Sequence, residues 1–465
     1  MAHQPQFQRS AGLLCIWLST LLSTLLGSLL VGACGSEEVT EELPPDVAII
    51  LIDTLRKDFL DLYGAERETA PYLLRLGESS AVFDRAYSTS SWTAPATASV
   101  MTGLYPQRHG VVLGFNAYGK EGEDAAEVAE GAQELEGSML SKLPDAITTI
   151  GELFQFSGYQ TFGVASNVNL AGERGFHRGF GRFETSVQAD ATVLRDKMAE
   201  WAAARRPDRP ALWYLHLNDV HKPYDGRDPW YQDPGGEKRK KNQDAIARYT
   251  SEISYVDSVL ETLGTTLGWT DETVILVIAD HGEEFRDHRG SGHRFKLYGE
   301  LMNVPMMIRV PGLTDAGLRI DHPVSLVDVL PTLQDLFDLD DSSERDGVSL
   351  APLLRKETLA PRPLFAHRRK PDTEGAIWAV IDDRWKLLYF EDRDRSELFD
   401  ALDDPLDKRS VTSAHPGVVE RLRALIEGAR QTEPMEAEVH IMDGGEAMLE
   451  HLREMGYGGN GEEDD

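Results

Sequence analysis

The chain alternates short continuous apolar runs with segments in which apolar residues recur every three or four positions. The runs DVAIILI at 46–52, ALWYLHL at 211–217, TVILVIA at 273–279 and VPMMIRV at 304–310 are bounded by polar residues. Their length and lack of alternation predict strands buried on both faces, as in a sheet covered by helices. Between them, Ile246, Tyr249, Ile253, Val256, Leu260 and Leu263 fall on one stripe and predict a helix over 244–264. Pro71 follows Thr69-Ala70 at a predicted helix start leading into YLLRL. Together these patterns predict a doubly wound α/β domain over 46–339.

After about residue 340 the pattern changes. Strand-like runs at 376–381 and 384–390 precede a turn-rich LFDALDDPLDKRS, and helical patterns follow near 416–430 and 445–455. A smaller C-terminal α+β subdomain over 340–456, closing the sheet edge, is the expectation. The acidic tail 457–465 is expected to be disordered. Residues 119–137, acidic and poor in large apolar side chains, read as a surface insertion. The basic run in 233–241 (DPGGEKRKK) reads as a solvated loop.

The first residues carry a different signal. Residues 12–33 (GLLCIWLSTLLSTLLGSLLVGA) are apolar or small throughout, behind a short head containing His3 and Arg9. That is a secretory signal or a single membrane anchor. The run ends in Val31-Gly32-Ala33-Cys34-Gly35-Ser36, which resembles a bacterial lipobox. The resemblance implies a leader over 1–34, cleavage before Cys34 and lipid on its thiol. An uncleaved anchor is the alternative. Either way residues 35–45 read as an acidic linker, and the chain is expected to be exported and tethered to the cell envelope.

Charge and cysteine usage then narrow the function. The 47 Lys and Arg against 78 Asp and Glu give a formal net charge of −31, which disfavours a nucleic-acid partner. A local basic pocket for a small anion is still compatible with it. The two cysteines, Cys15 and Cys34, both lie in the first 34 residues, so a disulfide framework and a Cys-based zinc site are excluded.

Asp53 stands directly after the first apolar run, and Asp280-His281 directly after the third. Carboxyl ends of sheet strands are where α/β folds place ligand-binding residues. A single strand-end aspartate is often a turn or cap residue. Three potential metal ligands at two strand ends together point to a site. In Ser91-Trp92-Thr93-Ala94-Pro95-Ala96-Thr97, Thr93 is expected as a helix N-cap, with Pro95 in the first turn. Thr93 then faces anions at the positive helix end, or is a plain cap.

These blocks resemble a known family. IILIDTLRKDFLDLYG, SSWTAPATASVMTGLYPQRHGV, YLHLNDVHKPY, IADHGEEF and LYGELMNVPMMIRVPG look like successive blocks of the sulfatase family, within the alkaline phosphatase superfamily. SLVDVLPTL, DGVSLAPLL, WKLLY and ELFDALDDPLDKRSV resemble its later blocks, so the likeness runs from about 46 to 456. It implies an ester hydrolase with a large α/β domain and a small C-terminal sheet subdomain, acting on a small anionic ester.

The departures decide which chemistry is expected. Sulfate-ester hydrolases of the family resemble C-x-P-S-R, whose Cys or Ser becomes formylglycine. Here the positions are Thr93, Pro95, Ala96 and Thr97, so the chain has no formylglycine and lacks that arginine. The paired aspartates of the calcium sulfatases are reduced to Asp53-Thr54, and no G-K-W-H cradle is recognisable in QTFGVASNVNL after Gly158-Tyr159. Asp53, Asp280, His281 and the Thr93 oxygen form a mixed N/O set that suits Zn²⁺ ahead of Mn²⁺ or Ca²⁺. A metal beside Thr93 lowers its hydroxyl pKa and makes it a nucleophile.

The same four positions resemble one zinc site of the Thr-nucleophile branches, the nucleotide pyrophosphatase/phosphodiesterases and the phosphoethanolamine transferases. By that resemblance His221 and His293 are substrate-side histidines, His221 expected as catalytic and His293 as substrate-binding, with a second zinc site as an alternative for the pair and a surface or hydrogen-bonding role as the alternative for each. Asn116 resembles the asparagine that donates to a phosphoryl oxygen. Arg294 falls at the substrate lysine of many sulfatases, with Lys296 as the competing position. The expected activity is hydrolysis of phosphate diesters or phosphonate monoesters, with sulfuric-ester hydrolysis possible in principle. The alternatives are transfer of a phospho-headgroup in the envelope and an inactive envelope lipoprotein. The multi-span membrane domain that such transferases resemble is missing from this sequence.

Overall fold

The three longest apolar runs pair side by side, and their shared register decides where the chemistry lies. The computed structural model describes residues 43–112, 139–235, 241–293, 295–314, 316–369, 375–432 and 439–441. The leader 1–34, the insertion at 119–137, the helical pattern near 445–455 and the tail 457–465 lie outside the described residues, as does nearly all of the linker. The elements below all belong to one unit, Pro44–Asp465.

The main sheet is built from β1 (Val47–Ile52), β2 (Ala81–Phe83), β3 (Gln160–Ala165), β4 (Arg182–Thr185), β5 (Ala211–Leu217), β6 (Val274–Ile278), β7 (Met306–Arg309) and β8 (Leu318–Ile320). Their order is β8-β2-β7-β6-β1-β5-β3-β4. The segment β6-β1-β5-β3-β4 is parallel. Every residue of β1, β5 and β6 is buried, which is why these strands read as unbroken apolar runs. His216 in β5 is the one histidine among them, and no Asp, Glu, Lys or Arg occurs there.

Two features differ from the sequence expectation. The 304–310 run forms β7, which lies antiparallel to β6 with Met306 opposite Ile278. The chain between them therefore turns back over the carboxyl end of the sheet and carries residues 280–293 with it. The second difference is β3, a central strand whose sequence QTFGVA has too few large apolar residues to stand out.

Helix α1 (Thr93–Thr102) is buried along all ten residues. Its small side chains allow that close approach. Helix α2 (Lys241–Leu267) buries the predicted stripe, with Tyr249, Ile253, Val256, Leu260 and Leu263 all inside and Ile246 packed at its edge. Tyr249 does more than fill space. Its hydroxyl accepts from the Arg56 N–H and donates to the Thr54 carbonyl, both at 2.8 Å, which pins the loop after Asp53.

A second sheet follows, an antiparallel meander of β9 (Leu364–Arg369), β10 (Ala376–Asp382), β11 (Trp385–Phe390) and β12 (Arg395–Asp400). Its strands alternate between two covered faces. Trp378, Val380 and Leu387 pack with Leu422 and Ile426 of helix α3 (Pro416–Arg430). Ile377, Ala379 and Leu388 pack with Leu297 and Met302, just beyond the returning segment. Both faces are buried, so the predicted α+β subdomain folds as a layer against the main body.

Candidate active site

Parallel register brings the chemistry together. Ile52 of β1 stands opposite Leu217 of β5, and Leu51 opposite both His216 and Ile278. The next residues along each strand therefore emerge level on one edge: Asp53 after β1, Asn218 after β5, Asp280-His281 after β6. Asn167 joins them two residues beyond β3, whose Ala165 pairs with His216.

Asp53, Asp280 and His281 have no solvent exposure, and each offers a ligand atom within 4.8 Å of the others. His281 Nε2 lies 3.7 Å from Asp53 Oδ1 and 3.5 Å from Asp280 Oδ2. None of these three atoms has a hydrogen-bond partner. The opposite atom of each group is held. Asp53 Oδ2 accepts from Asn167 Nδ2 at 2.8 Å, and Asp280 Oδ1 accepts from the N–H of Thr54 at 3.2 Å and of His281 at 2.8 Å. His281 Nδ1 is 2.9 Å from the Gly282 carbonyl, so it carries the proton and Nε2 keeps a bare lone pair.

The electrostatics favour a cation. Burial, then the facing Asp280 carboxylate, push the Asp53 carboxyl up. Burial acts on Asp280 in the same sense, but His281 and His216 outweigh it and draw that carboxyl down. A positive ion between the two carboxylates would relieve the repulsion that raises Asp53 and would give the three unpartnered ligand atoms a partner. The residues present fit a divalent metal, and Asp53, Asp280 and His281 would hold it.

Thr93 is placed differently from the sequence expectation, though its side chain reaches the site. The N-cap is Trp92, extended at φ −152°, and Thr93 is the first helical residue. Its hydroxyl is therefore not spent on capping its own helix. It lies 3.3 Å from Asp53 Oδ2 and 3.4 Å from Asn167 Nδ2. Thr54 does not replace the missing second aspartate: its hydroxyl donates to the Asp53 and Val220 carbonyls, at 2.7 and 3.0 Å. Thr97 is fully buried within α1.

The two outlying histidines are brought in by the segments after β5 and β6. The His293 ring centre is 4.5 Å from that of His281 and 4.9 Å from that of His221, so the three rings form a row. Glu283 backs the row, with Oε1 3.4 Å from His293 Nδ1 and Oε2 accepting from Tyr224 at 2.7 Å. Burial raises the Glu283 carboxyl, but His293, His221 and the Tyr224 hydroxyl outweigh it and hold it at about 2. Burial draws the His221 ring down against the pull of Glu283. His221 and Asn218 border a cleft of about 210 Å³ that also takes in Asp219 and Arg227.

Asn116 and Arg294 lie outside the described residues. Lys296, the competing position for Arg294, is committed elsewhere: it donates to Glu284 Oε2 at 2.6 Å and the His288 carbonyl at 3.0 Å. Sequence reasoning missed Asn167, Asn218, His216 and Glu283. The signal for Asn167 was its place just past a strand that was itself unread. For His216 it was a polar residue inside an otherwise apolar run.

Gly282 makes the turn after His281 possible. A Cβ there would stand 1.9 Å from the Glu300 carbonyl oxygen, a backbone atom with nowhere to go. Gly282→Ala is therefore expected to displace His281 and lower turnover by roughly a hundredfold, since a shift of about 1 Å costs that much. A thermal melt and kcat measured on one preparation check it; wild-type values in both contradict the packing argument.

The comparisons agree with this architecture. Residues 45–339 match the family model described as Sulfatase, and residues 287–431 match "N-sulphoglucosamine sulphohydrolase, C-terminal". The chain is 22% identical over 439 residues to the Delta 4,5-hexuronate-2-O-sulfatase of Bacteroides thetaiotaomicron, covering 81% of this chain and 86% of the relative. It is 27% identical over 435 residues to the choline-sulfatase of Rhizobium meliloti, covering 81% and 84%. The phosphonate monoester hydrolase of Agrobacterium radiobacter shares the fold at a TM-score of 0.65 and 17% identity, over 83% of this chain and 95% of that one. With more than half of its length matched by the family model, and the site at the strand ends where the fold places ligands, the chain belongs to the sulfatase family and is an ester hydrolase.

Proposed function

We propose that this chain hydrolyses phosphate diesters or phosphonate monoesters, with Thr93 as nucleophile and a divalent metal, Zn²⁺ by its ligand set, held by Asp53, Asp280, His281 and the Thr93 oxygen. One observation carries the reading. The Thr93 hydroxyl lies against Asp53, beside three buried ligand atoms that have no other partner. A metal bound there would lower the hydroxyl pKa and offset charge building on the phosphoryl oxygens.

The chain's own residues do the rest. Thr93 Oγ1 loses its proton to solvent and attacks phosphorus, and the bond to the leaving alcohol breaks. His221, with Nδ1 held 2.5 Å from the Lys222 carbonyl oxygen, takes a proton from solvent on its other nitrogen when the anionic ester binds beside it, and passes that proton to the leaving alcohol. His293 donates to a phosphoryl oxygen, joined by Asn116 and Arg294 in the carry-over from the family, while Asn167 holds Asp53 Oδ2 in place. Water then cleaves the phosphothreonine and regenerates Thr93. A sulfated threonine has no diol-assisted elimination to release it, which favours phosphorus over sulfur as the reacting centre. We also propose that the protein is exported and lipid-anchored through Cys34, on the strength of Val31-Gly32-Ala33-Cys34. Among the described residues no helix is long and apolar enough to cross a membrane.

Turnover of bis-p-nitrophenyl phosphate, p-nitrophenyl phenylphosphonate and p-nitrophenyl sulfate on the purified, zinc-loaded protein tests the substrate class. The two phosphorus esters are expected to turn over at least about tenfold faster than the sulfate. The reverse order overturns the proposal.

A further inference from the structure

A fourth buried group faces the same two carboxylates from the other strand. His216 has no solvent exposure, and its Nε2 lies 3.7 Å from Asp53 Oδ2 and 4.0 Å from Asp280 Oδ2. Neither ring nitrogen has a hydrogen-bond partner. A polar side chain in a strand covered on both faces costs a few kcal/mol when left unsatisfied, so this position calls for a partner.

The separations tell which partner. A histidine serving only as counter-charge to a carboxylate sits at about 2.7–2.9 Å. His216 stands too far away for that. Ligands at about 2.0–2.2 Å from a tetrahedral metal are about 3.3–3.6 Å from one another. His281 lies 3.7 Å from Asp53 Oδ1 and 3.5 Å from Asp280 Oδ2, and His216 lies 3.7 Å from Asp53 Oδ2 and 4.0 Å from the same Asp280 Oδ2, so the two imidazoles share Asp280 Oδ2 and face opposite oxygens of Asp53. His216 stands just outside the cluster of ligand atoms that all lie within 4.8 Å of one another, so coordination requires its ring to move in toward Asp280 Oδ2. Its backbone is fixed for the task, paired to Leu51 on one side and Ala165 on the other.

We infer that His216 is a metal ligand of this site, contributed by the central strand β5. The donor set is then two imidazole nitrogens and two carboxylates, with the Thr93 oxygen as a fifth donor. Such a set selects zinc, or another borderline transition ion, over calcium. It also lets the metal stay bound while Thr93 is engaged with substrate. The inference rests on the metal-dependent reading above.

Zinc K-edge X-ray absorption on the purified full chain counts imidazole ligands, and chelator competition gives the zinc affinity. Both are run on wild type, Thr93→Ala, His216→Gln and His216→Ala, with circular dichroism selecting the His216 variant that folds. The variant is expected to show one imidazole fewer than wild type and at least about tenfold weaker zinc binding. Thr93→Ala keeps the wild-type count. A His216 variant with unchanged count and affinity overturns the inference and leaves the metal-dependent reading standing. A wild-type site with a single imidazole overturns it without needing any variant. A folded wild-type chain that takes up no zinc removes both.

Discussion

Thr93→Ala is expected to lower turnover of a phosphodiester by at least about a thousandfold, with the protein still folded and still binding zinc. The size follows from what is lost: without Oγ1 there is no covalent route, and a water must find the attacking position unaided. Folding should survive because the first turn of α1 is capped by no side chain at all, so Thr93 is not a helix-stabilising residue. Zinc should survive because Asp53, Asp280 and His281 supply ligand atoms independently of it. Thr93→Ser separates nucleophile from scaffold. It keeps the oxygen and is expected to hold kcat within about tenfold of wild type, the difference reflecting rotamer freedom lost with the γ-methyl. Steady-state kinetics with zinc content measured on the same samples checks both variants. Thr93→Ala with wild-type kcat would falsify the nucleophile assignment.

Much of this site was legible in the sequence for a physical reason. Strands buried on both faces write themselves as continuous apolar runs, and parallel pairing puts their carboxyl ends level. Asp53 and Asp280-His281 could thus be read as neighbours from position alone, across 226 residues of chain bridged in the fold by the Thr54 contact to Asp280. Thr93 was singled out as the expected cap of this helix and, by resemblance, as the residue at the nucleophile position; it is instead the first helical residue, with its hydroxyl 3.3 Å from Asp53 Oδ2. What escaped reading had weak or contrary patterning. QTFGVA carries Gln, Thr and Gly in place of branched apolar residues, so β3 and the Asn167 that follows it went unseen. His216 sat inside a run whose apolar character was the very signal being used. Glu283 lies in the excursion between antiparallel β6 and β7, and nothing local distinguishes it from any other acid in GEEF.

Stripping the metal is expected to abolish turnover and soften the fold together, because the same buried carboxylates serve both. Burial and the facing Asp280 push the Asp53 carboxyl up, so the metal-free protein carries that repulsion at the strand ends, eased in part by His216 and His281. A ligand present at a hundredfold excess over its Kd stabilises the native state by about 2.7 kcal/mol. Dialysis against a chelator should therefore lower the melting midpoint by a few degrees while turnover falls to background. Zinc added back should restore both, and calcium neither, because one or two imidazoles replace oxygen ligands that calcium prefers. Asp53→Asn sharpens the test, because Asp53 is the carboxyl that burial and the facing Asp280 push up. It removes one negative charge and one anionic ligand, so the metal-free variant should melt higher than metal-free wild type and gain little from zinc. Stability and activity then move in opposite directions, as they do when a site keeps repelling charges for the sake of its ion. If chelation instead leaves both the melt and turnover untouched, the carboxylate pair is being balanced by protons alone and the metal has no part in the reaction.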